Sequence, residues 1–172
     1  MAARITLLAA CSLDGRIADG TGGVAWLEPF EASADYGLAG FQAGLSRIVM
    51  GRATYDQVLG FGEWPYGSTP ATVLTGRPLG AAPPGVTAED GPPRTLAAGW
   101  DGHVWLNGGA RVFADFLAAD LVDEIEMFVM PVLLGEGPRL LDAAGRRAPR
   151  LADVAPWPNG AVRLRYEMGP LP

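Results

Sequence analysis

Residues 103–113 constrain the fold of this chain more than any other stretch. An apolar first half predicts a buried strand, Gly108-Gly109 interrupts it, and the apolar spacing from Val112 onward predicts a helix. Glycines let the backbone approach a ligand without a Cβ in the way, and the unpaired N–H groups of a helix's first turn favour an anion. The same dipeptide also fits an ordinary strand-to-helix turn, and this stretch alone does not separate the two interpretations.

Two further predicted strand ends carry a glycine beside an arginine, at Gly51-Arg52 and at Gly76-Arg77. A guanidinium beside a helix N-terminus suits a phosphate, and Thr54 adds a hydroxyl donor at the first of these turns. A surface arginine with a helix-capping threonine is the alternative there. Because the carboxyl ends of parallel strands meet at one edge of a sheet, three such turns would converge, which favours a bound dinucleotide phosphate.

The order of predicted elements indicates a single α/β domain over residues 1–172. Apolar runs such as residues 5–10 predict strands buried on both faces, and residues 31–45 have the spacing of an amphipathic helix that Ser33 or Asp35 could cap. Alternating apolar positions near the C-terminus predict antiparallel strands. We therefore expect a three-layer α/β/α fold whose mostly parallel central sheet has an antiparallel C-terminal edge.

Composition limits the classes of partner. The net charge is −6 with no basic cluster, so neither a nucleic-acid surface nor an anionic membrane surface is expected. One cysteine and one histidine predict neither an internal disulfide nor a metal site. The chain shows no signal-peptide cleavage pattern and no apolar run long enough to cross a bilayer, so we expect a cytoplasmic protein that acts on a small molecule.

Five motifs in order along the chain carry a family resemblance. They are Ser12-Leu13-Asp14-Gly15-Arg16-Ile17-Ala18, Met50-Gly51-Arg52-Ala53-Thr54-Tyr55, Trp64-Pro65-Tyr66, Asn107-Gly108-Gly109, and Val122-Asp123-Glu124 through Pro131-Val132-Leu133-Leu134-Gly135-Glu136-Gly137. Together they resemble the dihydrofolate reductase-like family, in the branch that includes the reductase domain of bacterial riboflavin biosynthesis. The resemblance implies an NADPH-dependent oxidoreductase that transfers a hydride to a C=N or glycosylamine-type heterocycle, as 5-amino-6-(5-phosphoribosylamino)uracil reductase does.

The resemblance also implies which residues hold the cofactor. Arg52 and Arg77 are the candidates for the 2′-phosphate, which needs cationic hydrogen-bond donors and so favours NADPH over NADH. The full set of expected NADPH contacts is Ala10, Gly51, Arg52, Thr54, Thr75, Gly76, Arg77, Asn107, Gly108, Gly109, Ala110, Arg111 and Val112.

Asp14 and Glu136 are the expected catalytic carboxylates, for proton relay or for holding substrate hydroxyls. The expected substrate contacts are Asp14, Trp26, Asp35, Tyr55 and Glu136. Asp14 is alternatively a turn former, Glu136 an exposed loop residue, and Asp35 an N-cap. A dihydrofolate or pterin reductase, in which Asp35 would meet the pterin ring, is one competing function. A nucleotide-binding protein without turnover is the second, and a purely structural domain is the third. The family likeness and an apolar C-terminal edge that needs covering favour a homodimer.

Overall fold

The computed structural model describes residues 3–142 and 147–169. These residues form one eight-stranded sheet with helices on both faces. The strands are β1 (Arg4–Ser12), β2 (Arg47–Gly51), β3 (Ala71–Leu74), β4 (Val86–Glu89), β5 (His103–Gly108), β6 (Glu124–Met130), β7 (Arg150–Pro156) and β8 (Val162–Glu167). The helices are α1 (Glu28–Glu31), preceded by a 3₁₀ turn at Ala25–Leu27, α2 (Leu38–Ala43), α3 (Arg52–Gly60), α4 (Pro93–Ala97) and α5 (Ala110–Ala118).

The strand order is β4-β3-β2-β5-β1-β6-β8-β7. The first six of these strands pair in parallel, whereas β8 pairs antiparallel with both β6 and β7. The predicted fold class is therefore confirmed: a mostly parallel α/β sheet ends in an antiparallel C-terminal edge. The three glycine turns that follow β2, β3 and β5 lie at one edge because these strands run in the same direction.

Two apolar clusters fill the space between the sheet and its helices. One lies under α4 and α5, where Val49, Leu106 and Phe113 are among its buried members. The other covers the opposite face and contains Trp105 and Tyr55. Alternating side chains along β1 and β5 belong to one cluster and then the other. Because both faces of these central strands are buried, their sequences are continuous apolar runs.

The predicted single helix over residues 31–45 is wrong. The described chain ends α1 at Glu31 and starts α2 at Leu38, with turns between them. Gly37 has a φ of 75°, a left-handed conformation that breaks a right-handed helix and that glycine adopts without steric cost. Asp35 accepts a hydrogen bond from the Gly37 N–H at 2.8 Å, so its side chain stabilises this turn and does not cap a long helix.

The helix α3 begins at Arg52, directly after Gly51, and the short strand β4 follows β3 at the edge of the sheet. The strand β4 extends the parallel part of the sheet by one strand. No helix in the described part of the chain has the length and apolar character needed to cross a membrane.

Candidate active site

A cavity of about 1000 Å³ lies along the carboxyl edge of the parallel strands. Its lining runs from Glu89 at the end of β4, past the turns after β3, β2 and β5, to Ala10 on β1. These five strands are neighbours in the sheet, so the cavity extends across four strand spacings, or about 19 Å. It has two parts of different character.

The first part, here called the glycine section, is formed by the turns at Gly51, Gly76 and Gly108-Gly109 with the residues that follow them. The residues that cap α3 and α5 are Gly51 and Gly109, both in extended conformation, and neither helix has a side-chain hydrogen bond at its cap. The first-turn N–H groups of two nine-residue helices are thus left for another acceptor. The section suits a phosphate group.

Close packing explains one of these glycines, and backbone conformation explains another. A Cβ on Gly51 would lie 3.2 Å from Val112 Cγ2, so a larger residue would push α5 away from the turn. Gly108 has a φ of 133°, and its peptide bond to Gly109 is cis. A Cβ on Gly109, in contrast, would meet only Thr54 Oγ1 at 3.4 Å, which leaves room for a side chain at the helix cap.

Nearly all the residues predicted to contact NADPH line this one cavity. The exception is Arg77, which is exposed and lies outside the lining. The residues brought together are Ala10, Gly51, Arg52, Thr54, Thr75, Gly76, Asn107, Gly108, Gly109, Ala110, Arg111 and Val112. The convergence of the turns is a structural fact, and their contact with a cofactor remains a prediction.

The two arginines that line the cavity have different surroundings. The guanidinium of Arg52 donates from Nε to both carboxylate oxygens of Asp56, at 2.8 and 2.9 Å, and from Nη1 to the Pro78 carbonyl at 3.1 Å. These bonds fix it between α3 and the turn after β3. Arg111 is almost fully exposed and lies 3.9 Å from Asp115.

The far end of the glycine section is acidic. Glu89 and Asp90 both line the cavity where β4 ends. Glu89 accepts a hydrogen bond from Thr72 at 3.3 Å and lies 3.9 Å from Arg47. The Asp90 carboxylate has no bonded partner among the described residues, and its Oδ2 lies 3.0 Å from the position that a Cβ on Gly76 would occupy. Sequence reasoning missed this carboxylate.

The second part of the cavity, here called the aromatic section, is formed by Leu8, Ala10, Leu27, Tyr66 and Trp105. All five belong to the apolar cluster on the face opposite α5. The rings of Tyr66 and Trp105 meet edge to face with centroids 5.6 Å apart, and Trp105 Nε1 donates to the Leu8 carbonyl at 3.0 Å. These contacts fix a flat apolar wall.

Asn107 joins the two sections. It immediately precedes the Gly108-Gly109 turn, and its Nδ2 donates a hydrogen bond to the Tyr66 hydroxyl. Burial raises the pKa of the Tyr66 phenol above its ordinary value, while the Asn107 bond opposes that shift. A protonated hydroxyl therefore stands beside the glycine turn.

Glu31, the last residue of α1, is a second carboxylate that sequence reasoning missed. It lines the cavity, whereas Asp35, the acid predicted to contact substrate, is exposed and outside the lining. The Trp157 Nε1 donates to the Asp35 carbonyl at 3.1 Å, which holds that backbone segment against the turn between β7 and β8. A contact of Asp35 with a substrate stays a prediction.

Asp14 lies outside this cavity. Its carboxylate accepts hydrogen bonds from Ser12 Oγ at 2.6 Å, Leu134 N at 3.0 Å and Gly135 N at 2.8 Å. These bonds lower the pKa of Asp14 to about 2, with the Ser12 bond the largest cause. The residue instead lines a smaller cavity of about 470 Å³ that also includes Cys11, whose pKa burial raises to about 11.

Glu136 also lies outside the large cavity, in an exposed turn. Its carboxylate faces Gly20, where a Cβ would lie 3.0 Å from Glu136 Oε2. The next residue, Gly137, has a φ of 111°, and a Cβ there would lie 2.1 Å from the Ala18 carbonyl oxygen. The glycines around Glu136 thus let the turn pack on the backbone of the loop after β1.

Hydrogen bonds hold these two loops together. Arg16 donates to the carbonyls of Gly137 at 2.6 Å and Gly135 at 3.1 Å, and the Ile17 N–H donates to the Pro138 carbonyl at 3.0 Å. Ile17 and Pro138 themselves line the cavity. The observed contacts give Asp14 a part in positioning this wall, and its predicted catalytic role stays a prediction, as does that of Glu136.

Trp26 and Tyr55, both predicted substrate contacts, lie behind the cavity wall in the apolar cluster. The Tyr55 hydroxyl and Trp26 Nε1 are buried without a hydrogen-bond partner among the described residues. The structure therefore does not bring the predicted substrate residues together in the way that it brings the predicted cofactor residues together.

Comparisons with known protein sequences agree with this architecture. The family model of the RibD C-terminal domain matches residues 94–162, which include the Gly108-Gly109 turn. The uncharacterized protein YwjB of Bacillus subtilis (strain 168) is 33% identical over 96% of this chain and 98% of its own length. YyaP, another uncharacterized protein of that organism, is 34% identical over 37% of this chain and 34% of its own length.

Solved structures extend the likeness to the whole fold. A candidate riboflavin biosynthesis protein from Shewanella sp. PV-4 has a TM-score of 0.83 at 29% identity, covering 98% of this chain and 99% of its own. A Thermotoga maritima diaminohydroxyphosphoribosylaminopyrimidine deaminase/5-amino-6-(5-phosphoribosylamino)uracil reductase has a TM-score of 0.70 at 18% identity, and 98% of this chain matches 57% of that longer one. Dihydrofolate reductase from Enterococcus faecalis, complexed with NADP(H), has a TM-score of 0.66 at 19% identity over 96% of each chain.

Proposed function

Because this chain belongs to the family of the RibD C-terminal domain, we propose that it is an NADPH-dependent reductase. It transfers a hydride to a C=N or glycosylamine-type carbon of a heterocyclic substrate. One observation carries the proposal: two uncapped helix N-termini, both preceded by glycine, open into a cavity that continues into an apolar aromatic section. A dinucleotide and a second flat molecule fit this arrangement of a phosphate-binding part beside an apolar part.

The glycine section would bind the phosphates of NADPH through the first-turn N–H groups of α3 and α5 and the Thr54 hydroxyl. Arg52, fixed by Asp56 and the Pro78 carbonyl, still has guanidinium N–H groups for the 2′-phosphate. NADPH supplies a hydride and its electron pair, and the chain supplies position and one proton. Ala10, which lines the aromatic section, is the expected neighbour of the nicotinamide.

The protein contributes alignment and exclusion of water. The aromatic section would hold the acceptor carbon against the nicotinamide in an apolar environment, which favours hydride transfer over side reactions. The loop after β1 and the turn that includes Pro138 close one side of the cavity, and the hydrogen bonds between them keep this wall in place.

A dihydrofolate or pterin reductase is the second candidate function, and Glu31 is the observation that favours it. A carboxylate in the apolar part of the cavity could bond to the protonated edge of a pterin. This alternative requires dihydrofolate turnover that Glu31→Gln abolishes and Asp35→Asn leaves unchanged. Turnover that depends on Asp35 instead would contradict the placement of that residue outside the cavity.

The direct test is titration of the protein with NADPH and NADH, followed by tryptophan fluorescence. Trp105 lines the cavity, so we expect saturable quenching, with tighter binding of NADPH. Consumption of NADPH, measured at its nicotinamide absorbance with C=N heterocycles, then separates a reductase from a protein that only binds nucleotide. Absence of binding by either nucleotide at millimolar concentration would overturn the proposal.

A further inference from the structure

We infer that the aromatic section accepts a flat, uncharged substrate in preference to a phosphorylated one, and that the Tyr66 hydroxyl donates the proton. This inference rests on the proposed hydride transfer and names the substrate class of the same site. It follows from the chemistry of the side chains that form the section and from the free proton of one hydroxyl.

The walls of the section select for shape. Trp105 is buried and fixed by its bond to the Leu8 carbonyl, and Phe41 and Tyr66 pack edge to face against it with centroids 5.6 Å away in each case. A rigid ring at the wall accepts a planar molecule by stacking or edge contact without loss of side-chain freedom. Leu27 adds apolar surface.

The charges of the section select against anions. The 13 cationic side chains of this protein are all arginines. Of those in residues 3–142 and 147–169, only Arg52 and Arg111 line the cavity, and both stand at helix N-termini in the glycine section. Glu31 at the end of α1 also lines the cavity, and it is the charged lining residue nearest in sequence to Leu27 of the aromatic section. A substrate phosphate there would lose water without gaining a cation and would meet a negative charge.

The Tyr66 hydroxyl accepts one hydrogen bond, and its own O–H group remains available as a donor. It accepts a hydrogen bond from Asn107 Nδ2, and it donates none to the residues that the structure describes. The backbone of Asn107 is held because this residue belongs to β5, which is paired with β1 and β2 in the centre of the sheet. The hydroxyl is consequently oriented at the junction of the two sections, where a hydride acceptor would meet the nicotinamide.

The proposed step balances. The carbon of a C=N or C=O bond gains the hydride and its electron pair from NADPH, which becomes NADP⁺. The nitrogen or oxygen gains the Tyr66 proton, and the tyrosinate then recovers a proton from water. Burial raises the pKa of Tyr66, so the phenol stays protonated at neutral pH, whereas the pKa of Asp14 is lowered to about 2 and its carboxylate holds no proton there.

The first experiment compares isatin with isatin-5-sulfonate as acceptors, after NADPH binding has been shown by fluorescence. The two compounds share a flat ring and the same reactive carbonyl, and they differ by one anionic group. We expect kcat/KM for isatin to exceed that for the sulfonate at least tenfold. Equal use of both compounds, preference for the sulfonate, or no turnover of isatin by NADPH-bound protein would overturn the inference.

The second experiment adds a cation to the aromatic section. Leu27→Arg is expected to raise kcat/KM for isatin-5-sulfonate relative to isatin at least fivefold, because the guanidinium pairs with the sulfonate. A folded Leu27→Arg protein, verified by an unchanged Tm, with an unchanged ratio would contradict the proposed position of the substrate. Failure of NADPH binding in wild type would be a different result, since it overturns the proposed function itself.

The third experiment removes the hydroxyl while keeping the ring. Tyr66→Phe is expected to lower kcat for isatin at least tenfold with the Kd of NADPH unchanged, in line with the loss of a general acid. Tyr166→Phe, which removes a hydroxyl on β8 outside the cavity, is the matched control and should leave kcat unchanged. The inference also predicts a flat kcat between pH 6 and 9. A Tyr66→Phe enzyme with wild-type kcat would overturn the proton-donor role.

Discussion

The glycine section and the aromatic section of the cavity are built in opposite ways. Backbone forms the first: strand ends stop at glycines, and the N–H groups of α3 and α5 remain without capping side chains. Side chains form the second, and they come from β1, β5, the 3₁₀ turn and the loop after α3, which are distant in sequence. The comparison teaches that a binding site made from backbone can be recognised from a short sequence motif. A binding site made from side chains depends on tertiary packing and cannot be recognised in that way.

The largest effect should come from placing a negative charge in the glycine section. A Cβ at Gly109 meets only Thr54 Oγ1 at 3.4 Å, so Gly109→Asp fits, and a carboxylate at a helix N-terminus also favours the helix. We expect the Kd of NADPH to rise at least a hundredfold with no fall in Tm.

Gly109→Asn is the matched control, since it has the same size without the charge. It should weaken NADPH binding much less than Gly109→Asp in the same fluorescence titration. Equal losses in the two variants would show that space, and not phosphate binding by the backbone, makes glycine necessary there.

The convergence of the three glycine turns was predictable from the sequence. Gly51, Gly76 and Gly108-Gly109 each follow an apolar run, and strand direction alone brings them to one edge. Arg77 is exposed and lies outside the lining of the cavity, and its contact with NADPH stays a prediction. The mostly parallel sheet and its antiparallel edge were predictable for the same reason as the turns, because they follow from the order and periodicity of the elements.

The acidic residues show why the aromatic section was not predictable. Asp14 belongs to the first of the five family-like motifs. The position of its carboxylate, however, depends on hydrogen bonds from the N–H groups of Leu134 and Gly135, about 120 residues further along the chain. Glu31 was missed because a continuous helix was predicted from this residue onward. In the structure α1 ends at Glu31, and the chain turns at Gly37 before α2 begins. Such long-range contacts leave no local signature.

The next effect in size concerns the 2′-phosphate. Arg52→Ala should weaken NADPH binding about tenfold and leave NADH binding within twofold, because a charge-assisted hydrogen bond to the phosphate is lost. The exposed Arg150→Ala on β7 is the control. Equal weakening of both nucleotides would assign Arg52 to the shared pyrophosphate or to the fold.

A smaller effect of opposite sign is expected at the acidic end of the glycine section. Asp90→Asn removes an exposed, unpaired carboxylate that lines the cavity beside Gly76. The Kd of NADPH should fall about two- to fivefold relative to that of NADH, the scale of an exposed charge interaction. A lower affinity for NADPH in this variant would place the 2′-phosphate elsewhere.

The smallest effect on turnover is expected from Asp14→Asn, with kcat within twofold of wild type. This substitution should instead change how the stability of the folded protein depends on pH. The folded pKa of about 2 is below the ~3.9 of an unfolded aspartate, so ionised Asp14 stabilises the fold above pH 4, and this contribution is lost as pH falls through 2. Thermal unfolding between pH 2 and 7 should therefore show a weaker acid dependence for Asp14→Asn than for wild type.

Asp101→Asn, an exposed residue whose side chain has no hydrogen bond among the described residues, is the control for that comparison. If Asp14→Asn instead keeps its Tm and loses kcat a hundredfold, Asp14 has the catalytic role that the sequence motif suggests.

The most direct measurement of the central claim is isotope transfer from NADPH that carries two deuterium atoms at nicotinamide C4. The protein is incubated with this NADPH and isatin, and the reduced product is examined by mass spectrometry. The account predicts one deuterium on the former carbonyl carbon of the product. Consumption of NADPH and isatin that leaves no deuterium in the product would contradict hydride transfer within this cavity.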